Sequence, residues 1–143
     1  MSDQAPEDRA DGFSLVISNT RASAHFARHR FSEYLRSFTI DAECAHDIIM
    51  AAGEALANAA EHGHRPNGTL TLRARLLADG LEIEIIDDGH GFAPHPHPAS
   101  PDTSSPRGFG IHIMRSVMDS VEFHDGGRRV VLSKAFPDRL GRL

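Results

Sequence analysis

The chain has 143 residues, 40% hydrophobic and 24% charged, with a formal net charge of −5: enough for one real core, too little for two, and ordinary for a globular protein. No cluster of Lys or Arg interrupts the acidic balance, which excludes a surface that neutralises nucleic-acid phosphates and leaves protein contacts as the route to any regulatory role. Cys44 is the only cysteine, no run of roughly 18 apolar residues occurs, and the acidic start MSDQAPEDRAD is no signal peptide; a cytoplasmic protein without disulfide or membrane span is expected.

Residues 1–11 read as a disordered leader and 137–143 as a tail, with one domain over 12–136. Phe13, Leu15 and Ile17 alternate with smaller or polar neighbours, which predicts a strand. Arg21 to Phe38 follow as a first helix, with Phe26, Phe31, Tyr34 and Leu35 on its buried side. Asp41 suits an N-cap for a long Ala-rich helix, Ala42 to His62, that stops at Gly63. Leu70, Leu72, Ala74 and Leu76, then Leu81, Ile83 and Ile85, alternate on either side of Asp79-Gly80. That turn sets Leu76 opposite Ile83, Ala74 opposite Ile85 and Arg75 opposite Glu84. After Asp87-Asp88-Gly89-His90-Gly91 the pattern stops, and residues 93–107 hold five prolines in fifteen positions, a loop of functional length. A third helix runs from Gly108-Phe109-Gly110 to Asp119, and a hairpin joins Val121–His124 to Arg129–Phe136 around Asp125-Gly126-Gly127. The order predicts an α/β (α+β) two-layer sandwich, one helical layer on one mixed or mostly antiparallel sheet. The other sheet face, rich in Thr, Arg and Glu, is left for solvent or a partner.

Chemistry has three possible seats. On the second helix Glu54, Asn58 and His62 fall at i, i+4 and i+8, with Glu61 on the same stripe. This is either the wet face of an amphipathic helix or a magnesium–phosphate site, since magnesium takes oxygen ligands and needs few from protein; the neighbouring carboxylate then suits a general base. Asp87 continues the inward phase of Leu81, Ile83 and Ile85, where a carboxylate costs several kcal/mol unless it is paired. A turn would explain it, but no strand follows for more than fifteen residues; an adenine amine would pair it, with Gly89 and Gly91 letting backbone approach a flat ligand. Gly108-x-Gly110 opens a helix, where backbone N–H groups serve as phosphate donors, a weak signal alone.

Together these motifs resemble the N, G1 and G2 boxes of the GHKL (histidine-kinase-like, Bergerat-fold) ATPases. The run from Glu54-Ala55-Leu56-Ala57-Asn58 to Glu61-His62-Gly63 resembles that of the anti-sigma-factor serine/threonine kinases in particular, as does Gly108-Phe109-Gly110-Ile111-His112-Ile113-Met114 followed by Met118-Asp119. The resemblance spans residues 13–136. It implies ATP and Mg2+ as cofactors, with Asn58 as the magnesium ligand and Asp87 reading the adenine amino group. Gly89, Gly91, Gly108, Gly110 and Ile111 shape the nucleotide pocket and 93–107 form the ATP lid; Arg107, at the lid's end, is placed to replace the cationic contact that the lid lacks. Glu54 is implied as the base, and Arg28 as a contact to partner proteins. The lid departs from the family in lacking a Thr-Thr-Lys-like stretch; Thr103, Ser104 and Ser105 are nearest.

The function implied is a protein kinase that sequesters a sigma factor and phosphorylates a STAS-type anti-anti-sigma partner, as a homodimer, without touching nucleic acid or membrane. The alternative is a nucleotide-dependent partner-switching protein without kinase activity. A detached histidine-kinase domain would need a helical hairpin bearing the phosphoacceptor histidine, and none precedes residue 12. Ten histidines, including His62-x-His64 and His95-x-His97, lack the cysteines or carboxylates of a zinc site. Cys44, Met114 and Met118 read as packing residues.

Overall fold

The computed structural model describes the backbone of residues 7–9, 12–62, 67–88, 106–136 and 141–142, with side chains for 12–61, 67–88 and 110–136. The elements are β1 (Glu7–Arg9), β2 (Gly12–Ser18), α1 (Arg21–Leu35), β3 (Phe38–Thr39), α2 (Ala42–His62), β4 (Thr69–Leu77), β5 (Gly80–Asp87), α3 (Pro106–Val117), β6 (Ser120–His124), β7 (Arg129–Ala135) and β8 (Gly141–Arg142). Six strands make one sheet in the order β1-β2-β4-β5-β7-β6, and every pairing in it is antiparallel. The sheet is thus wholly antiparallel among the described strands, and the α+β two-layer expectation holds.

Alternation decides which face is dry. Phe13, Leu15 and Ile17 of β2, Leu70 and Leu72 of β4, and Leu81, Ile83 and Ile85 of β5 are all buried, against helices that cover that face. α2 lies between α1 and α3 and crosses β4, β5 and β7. On the opposite face, arginines and glutamates pair across strands: Arg73 with Glu84 at 3.3 Å and Arg75 with Glu82 at 3.2 Å, while Arg129 also reaches Glu84.

Thr20 caps α1, its hydroxyl accepting from the Ser23 N–H at 3.0 Å, and Asp41 caps α2 through Cys44 N–H at 3.2 Å, as Ser/Thr/Asp caps do. Phe13, Phe31, Tyr34 and Phe38 form an aromatic knot, with centroids 5.2 Å apart for Phe13–Tyr34 and 5.1 Å for Tyr34–Phe38.

Several expectations need correcting. β1 pairs with β2 inside the expected leader, and β8 pairs with β3 inside the expected tail. α1 stops at Leu35, not Phe38, because Phe38 enters β3. Phe26 is 42% exposed, not buried. The buried arc of α1 is Ser23, Ala24, Ala27, Phe31, Tyr34 and Leu35, and at about 100° per residue Phe26 falls outside it. The hairpin register is shifted by two: Leu76 faces Leu81, Ala74 faces Ile83, Arg75 faces Glu82 and Arg73 faces Glu84. A two-residue shift keeps every side chain on its expected face. Its cause is Gly80, which is a strand residue and not a turn residue. A Cβ there would stand 2.4 Å from the Lys134 carbonyl oxygen on β7, so glycine is required for that close approach and the turn falls on Ala78-Asp79. α3 begins at Pro106 and ends at Val117, so Pro106 and Arg107 belong to a helix and not to the loop before it. Pro at the first helical position loses no hydrogen bond.

Candidate functional site

α2 has a long dry side, where Ile48, Ala51, Ala52, Ala55, Leu56 and Ala59 are buried, and its small residues let neighbouring elements come close. Asn58 belongs to this dry side. It is 6% exposed and its Nδ2 meets no acceptor among the described residues. Leaving a buried amide donor unmatched costs about 1–3 kcal/mol, so this is not the wet face of an amphipathic helix. Glu54, one turn earlier, is partly buried, and Glu61 is exposed; the His62 side chain lies outside the described residues.

Asp87 is 5% exposed at the inward end of β5, and its N–H donates to the Arg128 carbonyl at 2.8 Å. Its neighbour Asp88 does structural work: its carboxylate accepts from Thr69 N–H at 2.9 Å and from the Thr69 hydroxyl at 3.4 Å, tying β5 to the start of β4. Asp87 and Asn58 line one small pocket, walled by Ala55, Met114, Phe123 and Arg128 among others. The sequence reading placed Met114 in the core, which holds, since it is fully buried; its share in the pocket was missed, as were Phe123, Arg128 and Val130. The β5–β7 and β6–β7 pairings bring Val130 and Phe123 to Asp87, and the Asp87 N–H reaches the Arg128 carbonyl across the same edge. Met114 had a signal, its helical spacing of four from Gly110.

Gly110 joins the third motif to the first. A Cβ on it would lie 2.8 Å from Glu54 Oε2 and 3.8 Å from Asn58 Oδ1, so α3 meets α2 at the two polar groups and any side chain there would displace the Glu54 carboxylate. The backbone of Gly108 lies in the first turn of α3. Ile111 is 6% exposed and belongs to the hydrophobic core. The Arg107 side chain, Gly89, Gly91 and residues 93–105 of the expected lid lie outside the described residues, as do Gly63, His64, His95 and His97.

Arg28, on α1, lies against Gly53 of α2, where a Cβ would come within 2.8 Å of Nε. The two helices are parted there by a groove whose walls include Arg21, His25, Arg28, Met50 and Glu54. Arg28 is therefore on the far side of Glu54 from the Asn58–Asp87 pocket. Cys44 is buried, and that burial pushes its thiol up from the ordinary value.

The donors at the α2–α3 junction are oxygens, from one amide and one carboxylate. Among the described residues no group of three His, Cys, Asp or Glu could hold a metal ion unaided. A cation bound here would complete its shell with water and ligand phosphates, which is the habit of magnesium. The orphaned amide, the glycine junction and the buried carboxylate all fit a magnesium nucleotide.

A helical layer on an antiparallel sheet, with an Asn on a helix facing an Asp at a strand end, defines the class, and comparison with known families agrees. The model of the histidine kinase-like ATPase domain matches residues 17–134, and the chain belongs to that family. Curated relatives place it beside the anti-sigma-factor serine kinases. It is 32% identical over 100 residues to the serine-protein kinase RsbW of Bacillus licheniformis, 62% of each chain. It is 30% identical over 120 residues to the anti-sigma F factor of Clostridium acetobutylicum, 78% of this chain and 84% of that one. With the anti-sigma F factor of Clostridium beijerinckii it shares 28% identity over 133 residues, 86% and 93% of the two chains. The match thus spans 62% of the length of that RsbW relative. No helix among the described residues is long and apolar enough to cross a membrane.

Proposed function

We propose that the chain is a magnesium- and ATP-dependent protein serine/threonine kinase and anti-sigma factor. It acts in the cytoplasm as a homodimer, sequesters a sigma factor, and phosphorylates a serine or threonine of a STAS-domain anti-anti-sigma protein. The observation that carries the reading is the meeting of Glu54, Asn58 and Gly110 at one junction, beside a pocket whose inner end holds the Asp87 carboxylate. The names of the relatives, serine-protein kinase and anti-sigma F factor, support the same pairing of activities.

In this reading Asp87 accepts the exocyclic amine of adenine. Asn58 offers Oδ1 to magnesium and Nδ2–H to a phosphate oxygen, which supplies the acceptor that Nδ2 lacks among the described residues. Gly108 and Gly110 leave the first turn of α3 open to phosphate, where backbone N–H groups point outward. Arg107 adds a cation. Magnesium held by Asn58 would supply positive charge against the charge developing in the transfer. Glu54 takes the proton from the partner's hydroxyl as that oxygen attacks the γ-phosphorus in line. The bond from the γ-phosphorus to the β–γ bridging oxygen breaks, and ADP leaves with the electron pair. Arg28 contacts the partner.

The test is incubation of the full chain with γ-labelled ATP and the STAS-domain proteins of its own genome. Label should appear on a serine or threonine of one of them, and Glu54→Gln should slow the transfer by roughly 10²–10⁴ while leaving nucleotide bound. If no STAS protein is labelled while nucleotide still governs sigma-factor binding, the chain is a partner switch and no kinase.

A further inference from the structure

One wall of the pocket that holds Asp87 and Asn58 is unlike the others. Ala55, Ala59, Ile85, Met114 and Val130 are buried, whereas Arg128 is exposed. Its place follows from the strand register. Ile86 faces Arg129 and Ile85 faces Val130. The next step sets Arg128 opposite Asp87, and the Asp87 N–H donates to the Arg128 carbonyl at 2.8 Å. Alternation then fixes the face. Val130 points inward and is buried, Arg129 points outward to Glu84, and Arg128 points inward again, at the rim of the pocket.

An arginine across from a buried carboxylate is expected to pair with it, as Arg73, Arg75 and Arg129 pair with glutamates on the outer face. Arg128 instead turns back on its own turn, where Nε donates to the Asp125 carbonyl at 3.3 Å, and it forms no ion pair among the described residues. The hollow between these walls is only about 10 Å³. That is about one water's worth and far less than a purine occupies, so a base enters only if one of the walls yields. α2, β5 and β7 are held by their backbone hydrogen bonds, Met114 is fully buried, and Phe123 lies under the Arg115 guanidinium, 5.8 Å from its ring centroid. The Arg128 side chain is tied by a single bond at the surface.

We propose that Arg128 is the gate of the base subsite and, once a base has entered, the plate on which it stacks. Neighbouring strands lie about 4.8 Å apart, and stacked planar groups touch at about 3.5–4.0 Å. A planar group on the residue across from Asp87 is therefore one layer away from a ring whose edge meets the Asp87 carboxylate. Guanidinium is planar and weakly hydrated, so it packs on an aromatic face better than an ammonium does. Asp87 reads the edge of the base and Arg128 covers its face. The proposal rests on the nucleotide reading above and adds to it a second residue for the base, with a part in its entry and exit.

The test uses the full chain with magnesium and a ribose-labelled fluorescent ADP, and stopped flow gives both rate constants for wild type, Arg128→Ala, Arg128→Lys and Arg128→Tyr. All three variants keep the backbone carbonyl that Asp87 bonds, so the fold is retained. Arg128→Ala should raise the association rate constant, because the gate is gone. It should raise the dissociation rate constant further, so that affinity falls by about 3- to 30-fold. Arg128→Tyr, a plane without charge, should bind more tightly than Arg128→Lys, a charge without a plane. Binding by Arg128→Lys as tight as by Arg128→Tyr would show a charge at work and overturn the stack, and an unchanged dissociation rate in Arg128→Ala overturns the whole proposal. Asp87→Asn is measured alongside. If it weakens binding while the Arg128 variants match wild type, the nucleotide reading stands and this proposal falls; if wild type binds no ADP, both fall.

Discussion

Replacing Gly110 by alanine tests the α2–α3 junction with one methyl group. The new Cβ would lie 2.8 Å from Glu54 Oε2, and 3.4 Å is the near edge of ordinary contact, so the carboxylate must retreat by 3.4 − 2.8 = 0.6 Å. Asn58 Oδ1, at 3.8 Å, need not move. The displaced atom is the end of a flexible side chain, so an off-rotamer Glu54 costs about 0.5–1.5 kcal/mol, while Ala in a helix interior regains about 1 kcal/mol over Gly. Stability should therefore change by no more than about 1 kcal/mol, a shift in Tm of a few degrees at most. Transfer should suffer far more, because a displacement approaching 1 Å at the reacting centre costs up to about 10²-fold. The assay is the initial rate of phosphotransfer at saturating ATP, beside a thermal melt. Adding Glu54→Gln to Gly110→Ala should slow the enzyme no further than Glu54→Gln alone, since both act on one group. Wild-type transfer by Gly110→Ala would refute the reasoning, and so would a large fall in Tm.

Four further outcomes follow from the same geometry. Asp87→Asn should weaken ATP binding by about 1.5–3 kcal/mol, by loss of a charge-assisted acceptor; calorimetry giving equal affinities would remove Asp87 from the adenine site. Asn58→Ala should abolish the magnesium dependence of ATP binding, and titration with and without magnesium decides it. Gly80→Ala should lower stability by about 1–3 kcal/mol, because its Cβ meets the Lys134 carbonyl, which is backbone and cannot turn aside; an unchanged denaturation midpoint would contradict that close approach. Burial raises the Cys44 thiol above its ordinary 9.0, so the native chain should react slowly with thiol reagents at neutral pH. Because the unfolded thiol ionises first, Cys44's contribution to stability is full below pH 9.0 and declines above it. Labelling as fast in the native as in the unfolded chain would contradict the burial.

What was legible in the sequence follows from the range of the interaction that decides it. α2 runs from Ala42 to His62 as its cap and periodicity indicate, because both signals are local. The faces of β4 and β5 were legible because a period of two survives any even shift of register. The register itself was not, because Asp79-Gly80 is a better turn by local chemistry, and only contact with β7 claims Gly80 for the strand. Phe26 misled because size was taken for burial, whereas Ala24 and Ala27 occupy the face that packs. β1, β3 and β8, with two or three residues each, are too short for alternation to show. In the site, Glu54, Asn58, Asp87 and Gly110 could be picked out by spacing, while Phe123, Arg128 and Val130 depend on pairings across the sheet.

Under the proposed function, helix α2 would present one short motif to two reactants. Glu54 and Asn58 are one turn apart, about 6 Å along the axis, and differ by about 40° around it. That rotation puts Asn58 inside the pocket it shares with Asp87, while Glu54 lines the α1–α2 groove. A nucleotide entering from one side would meet an amide whose buried donor is unmatched, and a protein segment entering from the other would meet an unpaired carboxylate. The buried Asn58 donor has no acceptor within the described fold, and an unmatched buried donor lowers the stability of the empty protein. Binding therefore regains what folding left unsatisfied, and nucleotide at a hundred times its Kd should add about 2.7 kcal/mol to the stability of the native state. With Asn58→Ala the empty protein loses its orphaned donor, so its Tm should hold or rise while the nucleotide-induced shift shrinks. A variant less stable than wild type without nucleotide, yet stabilised by it as strongly, would show that Asn58 serves the core and not the ligand.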